Sequence, residues 1–95
     1  MKFQFTAKMF RYTVEPASWY FVETDKELAA TLKQSAKRTK GFGFIPVEVT
    51  VGKTIWRTTF FPTKKKTYLL AIKAIVRRKE DIREGDYVSA DVKLI

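Results

Sequence analysis

Neither cysteine nor histidine occurs in the chain. Their joint absence removes disulfides, thiolate nucleophiles and iron–sulfur ligation, together with the commonest metal ligand and the commonest general base. Only carboxylate, lysine, tyrosine and hydroxyl chemistry survives. Long apolar runs are missing too: none approaches the about 20 residues that a membrane span needs, and the opening MKFQFTAKMFRY is broken by Lys8 and Arg11, unlike the apolar stretch of a signal peptide. The expectation is a soluble cytoplasmic protein without a membrane association. Acidic residues are few, 10 against 19 lysines and arginines, which leaves a formal charge of +9.

What is present is enough for one core. The 95 residues, 45% of them hydrophobic and including eight Phe, four Tyr and two Trp, read as a single domain over 1–95 that folds without staples, so the high charge does not signal disorder. Lys2 to Thr13 alternates, with Phe3, Phe5, Ala7 and Met9 on one side and Lys2, Gln4, Thr6 and Lys8 on the other, which is the period of a half-buried strand. Glu15 to Ser18 reads as a turn. Trp19 to Val22 is apolar on both parities, as a strand covered on both faces would be.

Thr24 or Asp25 can cap a helix running to about Arg38, with Leu28, Ala29, Leu32 and Ala36 inward and Lys26, Glu27, Lys33 and Lys37 in water. Gly41-Phe42-Gly43 marks a tight bend or a close backbone approach. Ile45 to Val51 and Thr54 to Phe61 form a hairpin around Gly52, and Pro46, lacking an N–H, requires an edge or a bulge at its position. Tyr68 to Ile72 is a further strand, Ala74 to Asp81 a short helix, and Tyr87 to Leu94 a last alternating strand after the Gly85-Asp86 turn. This predicts a mainly β protein of about six strands and two short helices. Aligning Lys26 with Lys73 brings out a weak echo between two strand–helix–strand units, arising either from duplication or from chance similarity; a pseudo-twofold barrel accounts for it.

Three pieces of sequence carry a resemblance: Lys2 to Lys8; Gly41-Phe42-Gly43 with Ile45-Pro46-Val47 and Trp56-Arg57-Thr58 to Phe61-Pro62; and Ile72-Lys73-Ala74 with Val76-Arg77-Arg78, Ile82 and Gly85-Asp86. Together they are similar to the domain-of-unknown-function 1905 family. The resemblance implies a small double-split β-barrel, related in architecture to the swapped-hairpin barrels of transition-state regulators and antitoxins, and implies no established activity. Against the pattern of those DNA-binding barrels, Lys73, Arg77, Ile82, Gly85 and Asp86 match, whereas Ala71 stands at a usual proline and Glu80-Asp81 replace leucine-glycine.

The positive charge is uneven, with five cations against two acids in 25–40 and five against one in 41–66, so these segments hold +7 of the +9. Candidates for an anion or nucleic-acid surface are Lys33, Lys37, Arg38 and Lys40, the Lys64-Lys65-Lys66 loop, and Arg77 and Arg78 with Lys79. Five such residues on phosphates would give a log–log salt slope of about −4.5. The competing account is that these lysines only keep the protein soluble. Phe42 and Phe44 either stack on bases or belong to the core.

Arg57 shares a strand parity with Ile55, Thr59 and Phe61, and either holds a carboxylate or phosphate or pairs with Glu48 across the hairpin. Lys73, between strand and helix, either meets an anion or extends into water. The ligand-site candidates are therefore Arg57, Thr59, Lys73, Phe42 and Phe44. Glu80, Asp81, Glu84 and Asp86 read as surface ion pairs with the neighbouring arginines, and no phosphate loop or activated nucleophile is visible. The sequence thus favours a non-catalytic module for an anionic partner, nucleic acid first. It needs no cofactor or metal, and acts as a monomer or weak homodimer. A second reading is a small-ligand or protein-partner module centred on Arg57 and the Gly41 to Phe44 loop.

Overall fold

Alternation places Phe3, Phe5 and Ala7 against the core and leaves Lys2, Gln4, Thr6 and Lys8 exposed, but the first strand does not continue unbroken to Thr13. It divides at Met9 into β1 (Lys2–Lys8) and β2 (Phe10–Val14). Met9 is 1% exposed, donates its N–H to the Asp86 carbonyl at 2.8 Å and accepts from the Gly85 N–H at 2.8 Å. These bonds to a turn replace ladder bonds to a strand, so the chain bends there and changes partner, from β7 to β3. The computed structural model describes residues 2–36 and 43–95.

The remaining elements are β3 (Ala17–Glu23), α1 (Lys26–Ser35), β4 (Ile45–Val51), β5 (Thr54–Pro62), β6 (Tyr68–Ala71), α2 (Ala74–Lys79) and β7 (Tyr87–Leu94). Among the described residues seven strands, one more than expected, form an antiparallel sheet in the order β1-β7-β4-β5-β6-β3-β2. The sheet curls because its two outer members are consecutive parts of one chain, and because β5 pairs with β4 up to Phe60 and with β6 from Phe61. Exchanging β1–β2 with β5, β3 with β6 and β4 with β7 leaves the pairing scheme unchanged, so the barrel-like sheet has twofold topology. The same exchange relates two hydrogen bonds, Thr24 N–H to the Tyr68 carbonyl (3.0 Å) and Ile72 N–H to the Tyr20 carbonyl (2.8 Å). Asp25 and Lys73 are thereby the equivalent helix caps, one residue from the Lys26–Lys73 alignment.

The core lies inside the curl. Val22, Leu32, Val47, Val49, Phe60, Leu70 and Ala90 are fully buried, joined by Ala29 from α1 and Val76 from α2. Asp25 caps α1 by accepting the Leu28 N–H at 2.7 Å, while the Thr24 hydroxyl accepts the Tyr68 N–H at 3.0 Å. The helix ends at Ser35 with Ala36 as C-cap; Arg38, the expected end, lies outside the described residues. Pro46 sits on interior strand β4, one residue beyond the last β4–β7 pair, where its missing N–H interrupts no ladder.

Two further expectations are corrected. Residues Trp19 to Val22 are covered on one face only: Val22 is buried, but Trp19 is 54% exposed. The hairpin β2–β3 reaches past the core, so the second apolar parity faces outward. In the acidic turn, Asp81 pairs with Arg83 (3.3 Å) and Glu84 with Arg11 (3.7 Å), whereas Glu80 and Asp86 are structural acceptors. Asp86 accepts the Arg83 N–H at 2.9 Å, and Glu80 accepts from the Thr54 hydroxyl at 2.6 Å and the Lys53 N–H at 3.3 Å. Helix α2 closes with Ile82 N–H on the Arg77 carbonyl (2.9 Å) and Asp81 in the left-handed region, φ 53°. Aspartate tolerates that conformation better than most residues, which lets it stand where a glycine is usual.

Candidate polyanion groove

Helix α1 presents Lys26, Ala29, Ala30 and Lys33 as one stripe, at the three- and four-residue spacings that bring side chains to the same face. Packed opposite is the loop that joins β5 to β6. Between them lies a groove of about 600 Å³ whose rim carries Lys26, Lys33 and Lys66, with Gly43, Pro62, Thr63, Thr67 and Tyr68 completing the lining. Small Ala29 and Ala30 leave the space open. Among the described residues that line it there is no carboxylate.

The loop is fixed by a chain of hydroxyls. Thr67 donates to the Glu23 carboxylate at 2.5 Å, so the hydrogen in the 2.7 Å contact between Thr63 and Thr67 is donated by Thr63. The Thr63 oxygen in turn accepts the N–H groups of Lys65 and Thr67, each at 3.2 Å. Both hydroxyl protons are committed, that of Thr63 to Thr67 and that of Thr67 to Glu23 on β3. Among the side chains that line the groove, the charged donors for an anion are the three ammonium groups. Lys66 reaches the groove from a left-handed backbone, φ 64°, whereas Lys65 turns back to Glu23 at 3.4 Å.

Gly43 enters the groove at φ +89°, and a Cβ there would lie 3.4 Å from the Pro62 ring. The tight bend read from the glycines holds at this position, where the neighbour is the Pro62 side chain and not another backbone, while Gly41 lies outside the described residues. Burial raises the Tyr68 phenol above its ordinary value of 10.0. The fold thus favours the protonated phenol: its contribution is complete below about pH 10 and is lost as the pH rises past that value. Tyr68→Phe should flatten the decline in urea midpoint above about pH 10 relative to the parent. Parallel declines in the two proteins would count against this origin.

The other sequence candidates disperse. Lys64 is exposed on the same loop; Lys37, Arg38, Lys40 and Phe42 lie outside the described residues. Arg77 is structural: its guanidinium stacks 3.8 Å above the Tyr20 ring and its Nε donates to the Ile72 carbonyl at 3.1 Å. Arg78 and Lys73 are exposed on α2 and at its N-cap. Arg57 projects outward from β5 and pairs with Glu48, its partner in register, at 3.9 Å; neighbouring Thr59 is half-buried opposite Pro46. Phe44 is 43% exposed and meets Phe61 edge-on at 5.5 Å. Lys26, read as a solvent-facing residue, belongs to the groove; the spacing of 26, 29, 30 and 33 was the available signal.

Among the described residues, no three carboxylates gather as a metal site and no helix is long and apolar enough to cross a membrane. No curated protein matches the chain significantly. The described family Domain of unknown function (DUF1905) matches residues 5–92. With that match spanning nearly all of its 95 residues, and a curled β sheet with two short helices beneath it, the chain belongs to the DUF1905 family.

Proposed function

We propose that the protein is a non-catalytic cytoplasmic module that binds a phosphate-bearing polyanion, nucleic acid first, across the Lys26–Lys33–Lys66 groove. The observation that carries this reading is the groove itself: three ammonium groups from two chain segments around an open space, with no lining carboxylate among the described residues. The nearby Glu23 carboxylate is engaged by Lys65 and Thr67. An excess charge of +9 attracts such a partner over a distance and accelerates encounter. Lysines act as point charges on flexible stems, so the contact reads charge and not base sequence.

The test is a salt titration with a labelled duplex, comparing the parent with the triple variant Lys26→Gln, Lys33→Gln, Lys66→Gly. All three residues are exposed, and glycine suits the left-handed backbone at position 66. Loss of three phosphate contacts should reduce the log–log slope by about 2.7. Absence of parent binding at low salt to this duplex and to a single strand of equal length, or an unchanged slope in the variant, would overturn the reading.

A further inference from the structure

We infer that the polyanion is single-stranded nucleic acid, and that its unpaired bases stack in an aromatic groove on the opposite face of the sheet from the lysines. The inference rests on the polyanion reading and names the partner more closely. On the outward face of β2, β3, β6 and the end of β5 lies a second groove of about 570 Å³, lined by Phe10, Tyr12, Trp19, Phe21 and Phe61 around Leu69 and Ala71. Register explains the gathering. Tyr12 stands opposite Trp19 and Phe10 opposite Phe21, all on the parity that faces away from Val22. Ala71, opposite Phe21, contributes only a methyl group and leaves the depression.

Such a surface is unusual for a chain with enough room to bury its aromatics. Trp19 is 54% exposed, Tyr12 55%, Phe44 43% and Phe61 39%, and together they form a patch, not scattered single residues. The two grooves lie on opposite faces of the sheet, because Phe61 and Pro62, like Leu69 and Tyr68, are consecutive strand residues, and they approach each other around the end of β5, where Gly43 lines the cationic groove and Phe44 rests on Phe61. Glu23 at the boundary is held by Lys65 and Thr67.

A strand that holds its phosphates among the lysines reaches the aromatic rings by passing round the end of β5, over Gly43 and Phe44. In a duplex the ring faces are buried in the stack; in a single strand they are free to lie on tryptophan or tyrosine. A wholly apolar partner would use the aromatic groove but gain nothing from the cations.

Binding is measured by fluorescence anisotropy at about 50 mM NaCl, using labelled oligothymidine and oligouridine of about 15 nucleotides and a duplex of equal length. Both single strands should bind more tightly than the duplex. Trp19→Ala should weaken single-strand binding about 5- to 100-fold and leave duplex binding within about twofold. Ala71→Leu, which fills the depression from the outer face, should reproduce that selectivity, and unchanged thermal unfolding of both variants would establish that the fold is intact.

Equal affinity for strand and duplex, or no effect of Trp19→Ala while the triple lysine variant still loses its salt slope, would overturn this inference and leave the polyanion reading standing. Failure of the single strands and the duplex alike to bind would end both. A homodimer in sedimentation that Trp19→Ala dissolves would also overturn it, because a second copy would then occupy the groove.

Discussion

Phe60→Ala should lower the unfolding free energy by about 3–5 kcal/mol, the cost typical of removing a fully buried aromatic ring. Phe60 is 0% exposed and sits where β5 leaves β4 for β6. Its ring lies 6.2 Å from that of Phe5 and 5.9 Å from that of Tyr68, so it joins the first strand to the groove wall. Domains of this size have a total stability of about 5–15 kcal/mol, and the variant should approach unfolding at room temperature. Urea titration gives the value. A loss below about 1.5 kcal/mol would mean that the corner collapses around the missing ring, and that the curl does not depend on it.

Gly52→Ala should cost about 2–4 kcal/mol for a different reason. Gly52 has φ +59° in the β4–β5 turn, and a Cβ built there would meet Glu80 Oε1 far inside van der Waals contact. Alanine therefore adopts a strained backbone and also displaces the carboxylate that accepts from Thr54 and from the Lys53 N–H. A double-mutant cycle separates these effects. In a Glu80→Ala background the displaced bonds are already gone, and Gly52→Ala should then cost only about 1 kcal/mol of backbone strain. Equal costs in both backgrounds would show that turn and helix end are not coupled through Glu80.

Glu80 also illustrates why parts of this molecule could not be read from the sequence. Beside Arg77, Arg78 and Arg83 it looks like one half of a surface ion pair, since those are its neighbours along the chain. Its partners are 26 and 27 residues away, Thr54 and Lys53. The aromatic groove escaped notice for the same reason. Four apolar residues in succession, Trp19 to Val22, fit a strand buried on both sides equally well as one that extends past its core. Pairing across the two-residue Glu15-Pro16 turn, however, sets Tyr12 against Trp19 and Phe10 against Phe21, and that register was the signal for a shared aromatic face.

The lysines show the limit from the other side. Lys64, Lys65 and Lys66 are identical in composition and adjacent in sequence, yet Lys65 pairs with Glu23 while Lys66 turns into the groove. Arg57 carries a related lesson: its parity along β5 placed it on an outward face, and only the register of β4 and β5 sets it opposite Glu48, 3.9 Å away.

By itself the sequence determined the β class, the inward face of β1, β4 and β7, a helix start at Thr24 or Asp25 and the Gly52 hairpin, because alternation, capping and turn geometry act over a few residues. The tertiary structure alone decided that the first strand breaks at Met9, that Lys26 and Lys33 face Lys66, and that five aromatic residues share one outer face. Each of these depends on which distant segments pack together, and local periodicity fixes the side of an element on which a residue lies without fixing what it meets there.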